Sequence, residues 1–192
     1  MVANYLKALY LALISYVLYC GAAPTALALA LVQPELPAGY VQLLADTSYY
    51  PALLGKITTA EKSIDLVMYL WKLADDGGGK PADLAKALGE AKQRGVDVRV
   101  ILENSEHDAS LNRANRKTAD LLRRAGISTF FDSSEVTTHT KLAIIDQRFC
   151  LVGSHNLTKS ALERNHEISL LLDNPRLAGE LTNYVEKLLK NH

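Results

Sequence analysis

Apolar residues follow two different rhythms along this chain. Short apolar runs, some alternating with polar residues, are separated by longer stretches in which apolar positions recur every three or four residues. The first rhythm predicts strands and the second predicts helices. Residues 40–47 (YVQLLADT) read as a strand, and residues 51–63 as a helix opening on Pro51, a favoured first-turn residue. In residues 63–73, Ile64, Leu66, Met68 and Leu70 repeat with period two, while Val67, Tyr69 and Trp71 make the other face apolar as well. Such a strand is covered on both sides. After the glycine-rich loop ADDGGGK, a helix over 81–94 begins at Pro81 and is stopped by Gly95. A strand over 96–103, a helix over 110–125 and a strand over 127–132 follow. The helix turns Leu111, Ala114, Leu121, Leu122 and Ala125 inward, and Gly126 ends it. Residues 140–146 and 149–154 are apolar runs separated by Gln147 and Arg148, the pattern of a hairpin. A strand over 167–173 and a helix over 175–190, capped by Asp173 or Asn174, complete the chain. Strands alternating with helices predict an α/β domain with a mixed, mostly parallel sheet flanked by helices on both faces.

The first 33 residues do not follow this alternation. From Tyr5 to Val32 the only charge is Lys7. Leu9 to Leu18 has the length of a signal-peptide core, and Ala26-Leu27-Ala28 and Ala28-Leu29-Ala30 are small-x-small cleavage candidates. Leu9 to Val32 is also long enough to span a bilayer, with a kink at Pro24. Residues 1–33 are therefore expected to be a cleaved export signal or a membrane anchor, with a tether over 5–32; a buried soluble helix is the remaining reading. The bulky Tyr19 argues against lipidation at Cys20. Gln33 to Gly39, with two prolines and a glycine, reads as a linker to a domain over 40–192. The expected location is periplasmic, extracellular or membrane-anchored.

Composition narrows the choices. The hydrophobic share of 48% and charged share of 22% are those of a globular chain, not a disordered one. Basic and acidic residues balance at 21 each, so any attraction to nucleic acid or an anionic membrane must come from a local patch. Arg113, Arg116, Lys117 and Arg124 supply one candidate patch along the 110–125 helix, although a solvated outer face explains them equally simply. Cys20 and Cys150 are the only cysteines, and no cluster suggests zinc. Cys150, inside a strand, reads as an inert core thiol. His155 and His166 read as packing or surface residues and His107 as part of a polar loop. Tyr49 and Tyr50 either pack or stack a base.

The hairpin carries more polar chemistry than its apolar context requires. Period two puts His139 and Lys141 on one face. An imidazole beside a fixed ammonium suits an anionic substrate, because the lysine neutralises phosphate charge while the imidazole attacks or moves a proton. Gly153, Ser154 and Asn156 follow, a permissive backbone position beside a hydroxyl and an amide that can donate to phosphoryl oxygens. The full spacing is His-x-Lys-x(4)-Asp-x(6)-Gly-Ser-x-Asn, over His139, Lys141, Asp146, Gly153, Ser154 and Asn156. It resembles the HKD motif of the phospholipase D superfamily at every fixed position. Six fixed residues, each used at a few per cent, would agree by chance in on the order of one chain in a million. The segment ALGEAKQRGVDVRVILE resembles the helix-Arg-Gly-Val-strand unit upstream of the motif in that superfamily, and Glu167 stands where those proteins carry a glutamate. The resemblance extends from Tyr40 to the C-terminus.

That resemblance implies a phospholipase D-like fold and cleavage of phosphodiesters without metal or other cofactor. One motif's histidine attacks phosphorus, a second motif's histidine protonates the leaving oxygen, and water then releases the product. This chain has one motif, so the resemblance implies a homodimer with a shared site, in which His139 attacks in one subunit and acts as acid in the other. Lys141 and Asn156 would bind phosphate oxygens, Ser154 and Gly153 would support them, and Glu167 would orient the imidazole. Asp146, at the hairpin turn, reads as a structural member of the motif. Three functions are consistent with this reading. The first is an endonuclease acting on DNA or RNA, the second a phospholipase D or cardiolipin hydrolase acting on membrane phospholipid, and the third a nucleic-acid-binding protein that does not cut.

Overall fold

The computed structural model describes residues 39–190. The expectations for residues 1–33, and for most of the linker, lie outside the described residues. No helix among the described residues is long and apolar enough to cross a membrane.

Among the described residues seven strands and five α-helices alternate much as the hydrophobic pattern predicts. In chain order they are β1 (Val41–Ala45), α1 (Tyr49–Thr59), β2 (Ser63–Met68), α2 (Lys80–Gln93), β3 (Asp97–Leu102), α3 (Ala109–Arg124), β4 (Ser128–Phe131), β5 (Lys141–Ile145), β6 (Phe149–Gly153), α4 (Lys159–Glu163), β7 (Ile168–Asp173) and α5 (Pro175–Lys190). The strands form one sheet in the order β1-β7-β6-β5-β2-β3-β4.

The sheet is mixed, but the expectation of mostly parallel pairing is corrected. Only β2–β3 and β3–β4 are parallel; β1–β7, β7–β6, β6–β5 and β5–β2 are antiparallel. Parallel neighbours need a crossover of a dozen or more residues, usually a helix. The chain supplies one to each parallel pair, α2 and α3. Between β6 and β7 it has only α4, five residues long and absent from the hydrophobic pattern, and β7 returns antiparallel.

Helices cover both faces. The two crossovers step along the sheet in one direction, and the right-handed rule for such connections puts α2 and α3 on a common side. Leu84, Leu88, Leu111 and Leu122 are their buried anchors. On the opposite side α5 lays Ala178 and Val185 on Val67, Ile101, Leu142, Ile144 and Cys150. Arg99 links that helix to the sheet, bonding Asp65 at 2.7 Å and Glu186 at 2.6 Å. Asn174 caps α5 by accepting from the Leu177 amide at 3.0 Å. Cys150 is fully buried, and burial pushes its thiol up to about 11, which fits an inert core position.

α5 leaves part of its face uncovered. Leu43, Leu170 and Val152 pair side by side across β1, β7 and β6. Of this strip Leu43 is 60% exposed and Val152 38%, while the neighbouring Val41 and Ile168 are 52% and 61% exposed.

Candidate active site

The β5–β6 hairpin turns at Asp146 and Gln147, one residue earlier than the apolar runs imply. Both residues have φ of 55°, inside a three-residue loop closed by the Ile145–Phe149 pair and by the Arg148 amide donating to the Ile145 carbonyl at 3.0 Å. A positive φ is tolerated by aspartate but strains glutamine, at a cost of about 1–3 kcal/mol that the surroundings must hold. Asp146 supplies that hold. Its carboxylate accepts the Glu61, Lys62 and Ser63 amides at 2.7–3.1 Å, and its own amide donates to the Ser63 carbonyl at 2.8 Å. The aspartate thus ties the hairpin tip to the loop between α1 and β2.

The other motif residues gather at the opposite, open end. His139, Lys141, Gly153, Ser154 and Asn156 line one cleft of about 270 Å³. Lys141 is 5% exposed, and its Nζ donates to the His139 carbonyl at 2.9 Å. Burial lowers the lysine from its usual value, while nearby Glu167 opposes that shift. His139 is also lowered, chiefly by burial and then by the Lys141 charge. At neutral pH the result is a mostly neutral imidazole beside a cation, a pairing suited to attack on an anionic phosphorus centre. Asn156 Oδ1 is buried without a hydrogen-bond partner among the described residues.

Gly153 is set by packing. A Cβ there would lie 2.3 Å from Ser169 Oγ and 2.4 Å from the Ile168 carbonyl oxygen, so no larger residue fits against β7. Ser154 donates its hydroxyl to Glu167 Oε2 in a short hydrogen bond and accepts the Ile168 amide at 3.1 Å. Glu167 Oε1 accepts from Asn165 at 3.0 Å. The carboxylate expected to orient His139 is therefore engaged by Ser154 and Asn165 instead.

Asp46 holds that glutamate in place. Its carboxylate accepts the Glu167 amide at 2.9 Å, and its amide donates to the Glu167 carbonyl at 2.9 Å. The Glu167 bond is the leading reason its carboxyl sits below the usual range. Asp46 has φ of 51°, and its carbonyl accepts His155 Nε2–H at 2.9 Å. That leaves His155 Nδ1 to accept from Ser169 Oγ at 2.8 Å. Tyr49 stacks on the same imidazole at 4.3 Å and 7°. Both residues are buried, so His155 and Tyr49 pack rather than meet a substrate. Asp46 had no distinguishing signal in the sequence, since an aspartate after a strand is ordinary turn chemistry.

A buried acid pair supports the loop before His139. Glu103, at the end of β3, accepts the Thr138 amide at 2.6 Å, and Thr138 donates its hydroxyl to Asp132 in a short bond. Burial raises the Glu103 carboxyl. A lone acid closing the apolar run VDVRVILE is the sequence signal that could have marked it. Tyr69, whose ring touches His139, was hidden at the end of the apolar run that contains β2.

The basic residues of α3 stay away from the cleft. Arg113, Arg116, Lys117 and Arg124 are exposed and do not line it. Arg116 reaches Asn104 at 3.5 Å and lies 5.8 Å from the centroid of the Phe131 ring, while Lys117 faces Asp75 at 3.8 Å. Tyr50 bonds Asp83 at 3.2 Å, and His107 and His166 are solvated. Among the described residues no group of three or more histidine, cysteine, aspartate or glutamate side chains is placed to hold a metal ion.

Comparison with known proteins bears on this geometry. A family model described as cardiolipin synthase, PLD-like domain, matches residues 53–189. The chain is 27% identical over 156 residues to the mitochondrial cardiolipin hydrolase of Chlamydomonas reinhardtii, covering 79% of this chain and 64% of that protein. It is 29% identical over 147 residues to cardiolipin synthase A of Pectobacterium carotovorum, covering 73% of this chain but 29% of the synthase. The chain thus spans less than two thirds of either relative. Among solved structures it is similar to Nuc from Salmonella typhimurium, a phospholipase D family member. The TM-score is 0.67 at 27% identity, over 79% of this chain and 95% of that one.

Proposed function

Because the chain belongs to the family of cardiolipin synthase, PLD-like domains, we propose that it is a phosphodiester hydrolase that works without a metal through a phosphohistidine intermediate. The observation that carries this reading is the single cleft lined by His139, Lys141, Gly153, Ser154 and Asn156. In the first step the His139 imidazole forms an N–P bond as the P–O bond to the leaving group breaks. The departing oxygen takes its proton from a second imidazole. Water then attacks phosphorus, gives its proton to that second imidazole and breaks the N–P bond. Lys141 and Asn156 offset charge on the phosphoryl oxygens throughout.

The second imidazole is His139 of another copy of the chain. The exposed strip of Val41, Leu43, Val152 and Ile168 favours this arrangement. Val152 and Ile168 lie two residues and one residue from Ser154 and Glu167, and a two-fold dimer that covers them pairs two copies near their motif segments. A homodimer is the expected active form, and a strictly monomeric, fully active protein would contradict it.

Nucleic acid is the substrate we favour, making the protein an endonuclease on DNA or RNA. The exposed cations of α3 give a chain of zero net charge one local surface suited to a phosphate backbone. Hydrolysis of a membrane phospholipid is the second reading. It is favoured by Val136, 73% exposed in the loop leading to His139, and by the names of the two relatives. The full-length protein should be incubated with single- and double-stranded DNA, RNA and cardiolipin vesicles in excess chelator. Chelator-resistant cutting of nucleic acid supports the endonuclease. Release of lipid products alone replaces it with the phospholipase, and binding of nucleic acid without any cleavage removes the enzyme reading.

A further inference from the structure

A nucleophilic imidazole must be held in one pose, and the carboxylate expected to hold it is engaged elsewhere. The His139 ring makes no hydrogen bond among the described residues. What touches it is the ring of Tyr69, edge-to-face at 4.5 Å between centroids and 62° between planes. The same phenol ring lies 4.8 Å from Lys141 Nζ. Tyr69 follows β2 directly and is anchored from two sides. Its amide donates to the Thr140 carbonyl at 2.9 Å, in the middle of the His-x-Lys segment. Its carbonyl accepts from Asn115 Nδ2 at 2.9 Å, and fully buried Asn115 also binds the Trp71 amide and the Glu103 carbonyl. The ring is therefore fixed relative to the motif strand and to α3 together.

Resting on the reading of His139 as nucleophile and acid, we propose that Tyr69 is a positioning residue whose ring holds His139 and Lys141 in register for phosphoryl transfer. The choice of an aromatic ring over a carboxylate has a chemical consequence. A carboxylate partner would favour the imidazolium and raise the histidine. A phenol ring packs edge-to-face with neutral imidazole and attracts imidazolium through its π-face. One contact thus serves both protonation states, which a residue attacking in one subunit and donating a proton in the other requires. Lys141, attracted to the same ring, stays near the histidine, to whose carbonyl its Nζ donates at 2.9 Å.

The test uses the full-length protein with bis(p-nitrophenyl) phosphate, a small diester, in excess chelator. Tyr69→Leu removes the ring and should lower kcat by about 10- to 100-fold, with KM changed less than about twofold, since misplacing a catalytic group by an ångström has an effect of this order. Tyr69→Phe keeps the ring and should retain kcat within about twofold. The acid limb of the pH–rate profile should move upward in Tyr69→Leu and stay in place in Tyr69→Phe, because the leucine uncovers His139. Tyr69→Met, similar in length, is measured in parallel, with thermal melting, so that an unfolded leucine variant does not decide the outcome. Wild-type kcat in a folded Leu or Met variant overturns the proposal, as does a loss in Tyr69→Phe equal to that in Tyr69→Leu. His139→Ala separates the two levels. If it is inactive while the Tyr69 variants are normal, only the positioning role fails; if it is fully active, the underlying reading fails.

Discussion

The two ends of the β5–β6 hairpin carry residues of one motif and treat them in opposite ways. At the turn, Asp146 has its carboxylate filled by three amides and its own amide bonded to Ser63. At the open end, neither the His139 ring nor the Asn156 side-chain amide makes a hydrogen bond among the described residues. Satisfied groups hold a structure together. Unsatisfied ones, kept in a cleft around a buried lysine, are available to a ligand. The hairpin separates these tasks by the length of one strand, so the third letter of the motif secures the frame that displays the first two.

The sharpest way to break this comparison is to remove the group left most available. His139→Ala should reduce phosphodiester turnover by at least about 10⁴-fold, in line with loss of a nucleophile elsewhere. The check is chelator-resistant cleavage per mole of folded protein, and activity within tenfold of wild type would place the chemistry elsewhere.

Lys141→Met comes next. It removes the cation expected to meet the phosphoryl oxygens while keeping a chain of similar length. We expect kcat/KM to fall about 10²- to 10³-fold, the scale for losing one charge-stabilising donor. A loss confined to stability would move Lys141 to the structural end of the comparison.

The third prediction concerns pH. The attacking imidazole must be neutral, so turnover is lost as pH falls through its pKa. Burial and the Lys141 charge hold His139 below 6.5, so the acid limb of kcat/KM should lie below pH 6.5. In a dimer the partner imidazole must carry a proton, which gives a bell whose two limbs belong to the pair. Lys141→Met removes one of the two causes and should shift the acid limb upward. A limb that stays put would mean that the ammonium does not act on the ring.

Much of this was legible from one sequence. Period-two runs marked the strands that build the sheet, and Asn174 and Gly95 marked helix ends correctly because capping is local chemistry. The cleft residues were legible because their spacing is fixed by the hairpin, a short-range structure. Pairing direction was not, since β7 returns antiparallel after a connection whose five-residue helix is too short to leave a hydrophobic period. Glu167 shows the other limit. Its neighbourhood in sequence suggested an imidazole partner, but the side chain is claimed by Ser154, thirteen residues away, and its backbone by Asp46, 121 residues away. Tyr69 could not stand out, because an aromatic at the end of an apolar strand looks like core until its neighbours are known.

Asp146 gives the smallest expected effect on chemistry and the clearest sharpening of the contrast. Asp146→Ala leaves three amides to solvent and forces alanine to a φ near 55°. Bonds to a charged acceptor contribute about 1.5–3 kcal/mol each in favourable cases, but the Glu61 and Lys62 amides lie near the surface, where water replaces part of what is lost. We therefore expect a total loss of about 2–4 kcal/mol, read as a lower urea midpoint at constant slope. Asp146→Asn, which tolerates positive φ and keeps one oxygen acceptor, should lose about half as much. In both variants kcat of the folded fraction should stay within about threefold of wild type, because the turn lies at the far end of the hairpin from the cleft. A hundredfold fall in kcat with an unchanged urea midpoint would show that the two ends are not separate, and that the aspartate acts in the reaction itself.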